Sequence, residues 1–254
     1  MAHSDQLLIL DFDGVLCDSV GECCIVSARL LSRMYPEDNR PMPRTLEEVE
    51  PGLREHFFAH RLLIGPGADF ETVVDAYRRG ISVNTREELT DLVAQFDKEC
   101  PRDPNAFYNE RNLFRQDDME SWLALHTLYA DVPERVAGLQ QELPVFVVSN
   151  KDFLSLKLIL AQQGIHIDDS AIFGKEVGLK KFPTIQKIAA DQGRALNDIW
   201  YVDDHLGHLL EPHAAGVRCL HADWGYTTDA DRQQAREENI RSLTLDEFGP
   251  AMLS

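Results

Sequence analysis

The run Leu7-Leu8-Ile9-Leu10 leads directly into Asp11-Phe12-Asp13-Gly14. Four consecutive apolar residues read as a short buried strand. The strand ends in two carboxylates spaced i, i+2, followed by a glycine. In an open α/β sheet, ligands bind at the carboxyl ends of the strands, which is where Asp11 and Asp13 fall. With Phe12 turned the other way, both carboxylates face one pocket. Carboxylates that close repel, and one pKa rises unless a cation intervenes. A hard cation such as Mg²⁺, which prefers oxygen ligands, relieves that repulsion.

Four further apolar runs read as buried strands: Pro144 to Ser149, Ala171 to Gly174, Ile199 to Val202 and Val217 to Ala222. Helical patterns lie between them. Phe153 to Gln163 has apolar residues at helical spacing and Gly164 as its stop, and Pro183 to Gln192 repeats this with Gly193. Strand alternating with helix predicts an α/β, Rossmann-like fold, with a parallel sheet and helical crossovers. Residues 20–130 differ. They show helical periodicity and no buried strand. They are broken at Tyr35-Pro36 to Pro43, at Pro51-Gly52, at Gly65-Pro66-Gly67 and at Cys100-Pro101 to Pro104. The first strand needs the later ones to complete its sheet. The expectation is therefore a core of residues 1–19 and 131–254 with a helical domain, 20–130, inserted into it. The polar tail, Asp223 to Ser254, holds one more predicted helix around Ala230 to Ile240.

The chain has 254 residues and a formal net charge of −18. That charge argues against nonspecific binding to nucleic acid or to an anionic membrane. It also opposes anionic substrates at long range, so a phosphate site needs local positive charge. No apolar run reaches the length of a membrane span, and Met1 to Gln6 lack a basic segment followed by an apolar one. The five cysteines, Cys17, Cys23, Cys24, Cys100 and Cys219, have no metal-type spacing. Reduced thiols in a cytoplasmic protein are the simplest expectation, with Cys17, Cys23 and Cys24 packed inside.

The segment Asp11-Phe12-Asp13-Gly14-Val15-Leu16 resembles the first signature of the haloacid dehalogenase superfamily, most of whose members are Mg²⁺-dependent phosphatases. Later segments follow the family's order. Ser149, with Asn150 and Lys151 after it, ends a predicted strand as the second signature does. The third signature is a lysine just before a helix, often Lys-Pro-x-Pro; here it is Lys180-Lys181-Phe182-Pro183. Aligning on Pro183 selects Lys180, and aligning on the lysine nearest a following proline selects Lys181; Lys180 is favoured. The fourth signature is often Gly-Asp-x-x-x-Asp. Here Asp203-Asp204 ends the predicted strand and His208 stands where the later aspartate would be, closer to the family's Asp-Asp form. The helical insert resembles the cap of the subfamily that includes phosphoglycolate phosphatases and β-phosphoglucomutases.

The resemblance implies a soluble phosphatase acting on a small phosphorylated metabolite. Asp11 is then the nucleophile and Asp13 the general acid and base. Ser149, Asn150, Lys180 and Lys181 bind the phosphoryl group. Mg²⁺ is held by Asp11, Asp13 and Asp204, with Asp203 as a further ligand or as the partner of one. A phosphomutase that reuses the aspartyl-phosphate, or a catalytically weak binding module, are the alternatives. Arg54, His56, His60 and Arg61 in the insert are candidates for leaving-group recognition or for an ordinary helix face. His205, His208, His213 and His221 do not have the spacing of a zinc site and are expected to be structural. The insert is expected to close as a lid that excludes water.

Overall fold

The computed structural model describes residues 5–65 and 67–253. Met1 to Ser4, Pro66 at the centre of the predicted Gly65-Pro66-Gly67 break, and Ser254 lie outside the described residues. Along the chain run β1 (Leu7–Leu10), β2 (Cys17–Asp18), α1 (Val20–Met34), α2 (Pro51–His60), α3 (Ala68–Arg79) and α4 (Arg86–Glu99). Next come α5 (Ala106–Asp117), α6 (Met119–Ala124), β3 (Thr127–Leu128), α7 (Val132–Glu142), β4 (Val145–Val148), α8 (Phe153–Gln162) and β5 (Ile172–Phe173). The last are α9 (Lys181–Asp191), β6 (Ile199–Asp203), α10 (Leu206–Ala214), β7 (Arg218–Ala222), α11 (Asp229–Glu237) and β8 (Arg241–Leu243).

The chain divides into two units, Met1–Asp18 with Thr127–Ser254, and Ser19–His126. The divisions fall one and four residues before those expected from sequence, at 19/20 and 130/131. The cause is the antiparallel pairing of β2 with β3, Cys17 opposite Leu128 and Asp18 opposite Thr127. That pairing keeps both strands in the first unit. A two-residue strand carries no apolar period, so composition alone does not mark it.

In the first unit six parallel strands form one sheet in the order β5-β4-β1-β6-β7-β8. The chain builds outward from β1 through β4 to β5, then returns and builds the other way through β6 to β8. The order reverses around β1, and the crevice at its carboxyl end is where such sheets bind ligands. All four β1 residues are buried, as a central strand covered on both faces requires. Burying each leucine or isoleucine side chain contributes about 1.5–3 kcal/mol. Leu7 and Ile9 of β1 pack with Ile199 and Tyr201 of β6 and with Ile185 and Ile188 of α9. This places α9 on the sheet face shown by alternate residues of β1 and β6.

Two readings change. The tail contributes a sixth strand, β8, paired with β7; it has three residues, two of them exposed, and only its backbone pairing defines it. Helix α9 starts at Lys181, two residues before the expected Pro183. Proline is tolerated in a helix's first turn, where its missing N–H has no intrahelical partner to lose.

The second unit, Ser19–His126, consists of α1 to α6 with short 3₁₀ turns. Its centre is aromatic: Phe57, Phe70, Phe96, Phe107, Phe114 and Trp122 are buried, and Phe70 stacks on Phe107 with ring centroids 3.9 Å apart. Pro51 opens α2 as its first residue and so starts a helix. Buried ion pairs run through the unit. Arg111 donates to both oxygens of Glu22 at 2.7 and 3.0 Å, and Trp122 Nε1 adds a third bond at 3.2 Å. Glu110 takes Arg29 at 2.8 Å and also pairs with Arg33. No helix among the described residues is long and apolar enough to cross a membrane.

Candidate active site

Strand parity builds the centre of the site. Leu7 pairs with Ile199 and Ile9 with Tyr201, so the same alternation carries Asp11 and Asp203 onto the face that α9 covers. Asp11 N–H donates to the Val202 carbonyl at 2.9 Å, which extends the ladder past β1. On α9, Lys181, Ile185 and Ile188 lie at i, i+4 and i+7 and therefore share one helix face. The isoleucines pack on the sheet, and the ammonium of Lys181 lands between the carboxylates, 2.7 Å from Asp11 and 2.6 Å from Asp203.

This corrects the preference for Lys180. Lys180 precedes the helix, is exposed, and falls outside the stripe that faces the sheet. Lys181 is 4% exposed. A count of helical phase from Ile185 and Ile188 finds it; alignment on Pro183 does not.

Of the two roles expected for Asp203, metal ligand or partner of one, its contacts fit the second. Its carboxylate accepts Lys181 Nζ, the Tyr201 hydroxyl and the His205 backbone N–H at 2.8 Å, and His208 Nδ1 lies 3.2 Å from each oxygen. These four partners fill the roughly four lone-pair sites of a carboxylate. Asp203 therefore anchors Lys181 and does not present an open metal ligand. Its partners explain its charge. Burial pushes its pKa up, but Lys181 and His208 outweigh burial and hold it well below the usual carboxylate range. Tyr201 and His208 join this group through Asp203, so His208 does more than pack. Tyr201 is findable as the residue two before Asp203 on one strand face.

Asp11 has the opposite balance. Burial raises its pKa to about 6; Lys181 opposes this and Asp203 adds to it. Its Oδ1 accepts the Phe12 N–H at 2.7 Å. Burial likewise presses Lys181 toward its neutral form, and the two carboxylates more than offset that, raising its pKa.

Asp13 belongs to a second pair. Lys151 Nζ lies 3.2 Å from Asp13 Oδ1, and Lys151 is 1% exposed. Ser149 is buried at the end of β4, and its hydroxyl accepts the Lys151 N–H at 3.3 Å. The cap of α8 is Asp152, whose side chain accepts the Ser155 N–H at 3.0 Å, so Ser149 is not consumed by helix capping. Asn150 Oδ1 is buried without a hydrogen-bond partner.

Asp204 has its own partners. Tyr226 N–H donates to its Oδ2 at 2.6 Å. The carboxylate lies against Gly14, whose φ is +85°; a Cβ there would collide with it. The Asp204 carbonyl accepts from His221 Nε2 at 3.1 Å, and His221 is further tied to Ser242 at 3.2 Å. Among the described residues, Asp11, Asp203 and His208 have ligand atoms that all fall within 4.8 Å of one another. Asp203 in that group is saturated, however. Asp11 and Asp204 offer carboxylate oxygens, the ligand type that a hard cation takes. Burial leaves the Asp11 carboxylate under-compensated even with Lys181 beside it, which suits a divalent cation.

In the second unit, both ring nitrogens of His60 face backbone carbonyls, His56 at 2.6 Å and Val83 at 2.8 Å. His56 Nε2 meets the Val73 carbonyl at 3.1 Å, and Arg54 donates to Leu46 O at 3.1 Å. Arg61 lies over the Phe70 ring, 5.9 Å from its centroid. These contacts all lie within the second unit.

No family model matches the chain, and no curated protein matches its sequence. Solved structures do. A predicted phosphatase from Clostridium acetobutylicum superposes with a TM-score of 0.64 at 13% identity, over 98% of this chain and 99% of that one. A predicted phosphoglycolate phosphatase from Haemophilus somnus gives 0.61 at 19% identity, over 95% of each chain. A haloacid dehalogenase-like hydrolase from Streptococcus pneumoniae gives 0.57 at 15% identity, over 94% and 93%. The chain has the haloacid dehalogenase-like fold, an α/β core interrupted by a helical insert.

Proposed function

We propose that this protein is a Mg²⁺-dependent phosphatase that hydrolyses a small phosphorylated metabolite through an aspartyl-phosphate on Asp11. The observation that carries this reading is the Lys181 ammonium held between Asp11 and Asp203 at the sheet's switch point. A chain of net charge −18 offers phosphate no long-range attraction. Buried ammonium groups supply positive charge where the phosphoryl oxygens would sit.

Asp11 attacks phosphorus as the ester P–O bond breaks, and Asp13 gives its proton to the leaving oxygen. Water then attacks the phosphoryl group, Asp13 takes its proton, and the Asp11–phosphorus bond breaks to release phosphate. Ser149, Asn150 and Lys181 hold the phosphoryl oxygens. Asp11, Asp204 and the Asp13 carbonyl would hold Mg²⁺, which when bound shields the charge between Asp11 and the phosphate. The same reading places the enzyme in the cytoplasm, where its five cysteines stay reduced.

The test is phosphate release from p-nitrophenyl phosphate and a panel of small esters, with and without Mg²⁺, beside Asp11→Asn. The panel includes 2-phosphoglycolate, the substrate class named for one structural neighbour. Metal-dependent release that vanishes in Asp11→Asn is expected. Folded protein that binds Mg²⁺ yet releases no phosphate from any ester overturns the reading.

A further inference from the structure

The core unit buries two lysine ammonium groups, and the steps above use only one of them. Lys181 serves Asp11. Lys151 is as deeply buried, at 1% exposed, and its Nζ lies 3.2 Å from Oδ1 of Asp13. Burying an ammonium costs several kcal/mol unless it is paired, so its place beside that carboxylate is specific.

The backbone holds Lys151 there from both sides. Its N–H donates to Ser149 Oγ at 3.3 Å, and its carbonyl accepts the Lys175 N–H at 3.0 Å. Gly174 makes the second contact possible, because a Cβ at that position would collide with the Lys151 carbonyl and the Phe153 nitrogen. The Glu176 carboxylate meets the same Phe153 N–H at 3.1 Å. Lys151 is thus fixed between the end of β4 and the start of α8, with its ammonium within ion-pair reach of Asp13.

We infer that Lys151 is the positioning residue for the acid–base carboxylate Asp13; this rests on the phosphatase reading. An ammonium has protons to donate and no lone pair to accept one. With Lys151 on Oδ1, the proton that Asp13 carries as an acid belongs on Oδ2. In the first step that proton passes from Oδ2 to the leaving ester oxygen as the P–O bond breaks and the Asp11 oxygen–phosphorus bond forms. In the second, Oδ2 takes a proton from the attacking water as the Asp11–phosphorus bond breaks. Lys151 keeps its three protons throughout. The two buried lysines divide the work, one neutralising charge beside the nucleophile and the other orienting the group that moves protons.

The consequence depends on the leaving group. An alkoxide needs a well-placed acid; p-nitrophenolate, a weak base, leaves with little help. The test compares kcat/KM, which reads the steps through phosphoryl transfer to Asp11, for an alkyl ester and for p-nitrophenyl phosphate in wild type and Lys151→Met. General acid catalysis contributes about 10²–10⁴-fold. The alkyl ester is expected to lose on the order of 10²-fold and the aryl ester less than about threefold. Equal losses on both esters, as from a structural or phosphate-binding role, overturn the inference, and so does no loss on either. If Lys151→Met does not fold by circular dichroism, Lys151→Arg keeps the charge with different reach and must show the same alkyl-selective loss at smaller size. Wild type inactive on both esters fails the phosphatase reading itself; active wild type with equal losses fails only the role of Lys151.

Discussion

The two units bury charge in different ways. The insert, residues 19–126, holds twelve arginines and one lysine, Lys98; the core holds six of each. Inside the insert, Glu22, Asp75 and Glu110 each meet guanidinium groups. Glu22 takes both arms of Arg111 and the Trp122 N–H. Asp75 takes Arg102 at 2.5 Å and the Tyr35 hydroxyl at 2.9 Å. Burial pushes the Asp75 pKa up, but Arg102, Tyr35 and Arg79 reverse this and hold it below its ordinary value. The core uses lysine at its site, and there Asp11 stays under-compensated, its pKa raised by burial to about 6. An arginine fork fixes geometry, whereas a lysine is a point charge that leaves neighbouring lone pairs free. The insert's pairs hold a shape; under the proposed function, the core's receive a ligand.

The contrast breaks most sharply if a core carboxylate proves structural. Asp11→Asn is expected to lower phosphate release on the order of 10⁴-fold or more while the far-ultraviolet circular dichroism is unchanged. Loss of fold instead of activity would erase the distinction. Lys181→Met is expected to cost about 10²–10³-fold in kcat, as for loss of one electrostatic donor, and Lys180→Met less than about twofold, as for a surface residue. Comparable losses in the two would return the role to Lys180.

Glu22→Ala tests the insert. It strands a buried guanidinium and is expected to destabilise by about 3–5 kcal/mol in urea titration. A cost below about 1 kcal/mol would mean that the pair is no better than a surface one.

The smallest effect expected is a pH dependence. Because Asp11 is raised from 3.8 to about 6, the metal-free fold gains stability from its protonated form. That gain is full below the unfolded value and is lost as pH rises through about 6. Mg²⁺ needs the carboxylate, so its affinity is expected to rise by about tenfold per pH unit up to about 6 and then level. Calorimetric titration at pH 5, 6 and 7 reads this, and a flat profile would mean that Asp11 is not a ligand.

Much of the core is legible before any coordinates. Each of the five apolar runs contains a strand of the sheet; Asp11 and Ser149 directly follow strand ends, and Asp13 lies three residues past β1. Strand β8 is not legible, because two of its three residues are exposed and only the β7 backbone recruits it. Lys151 stands next to two candidate residues, but its own role is not legible there. Nothing in Ser-Asn-Lys states that the lysine is buried; Gly174 and Lys175, more than twenty residues on, make it so.

Local properties were settled by the sequence itself. A run of buried side chains that ends in an acidic residue needs no partner to be recognised, because the apolar surface must leave water wherever the strand packs. Choices between neighbours were settled by the fold. Lys181 over Lys180, and Asp203 over Asp204 as its anchor, depend on the phase of α9 against the sheet and on the register of β6 with β1. A shift of one residue in either would exchange the members of each pair, since adjacent residues on a strand face opposite sides and adjacent residues on a helix lie about 100° apart.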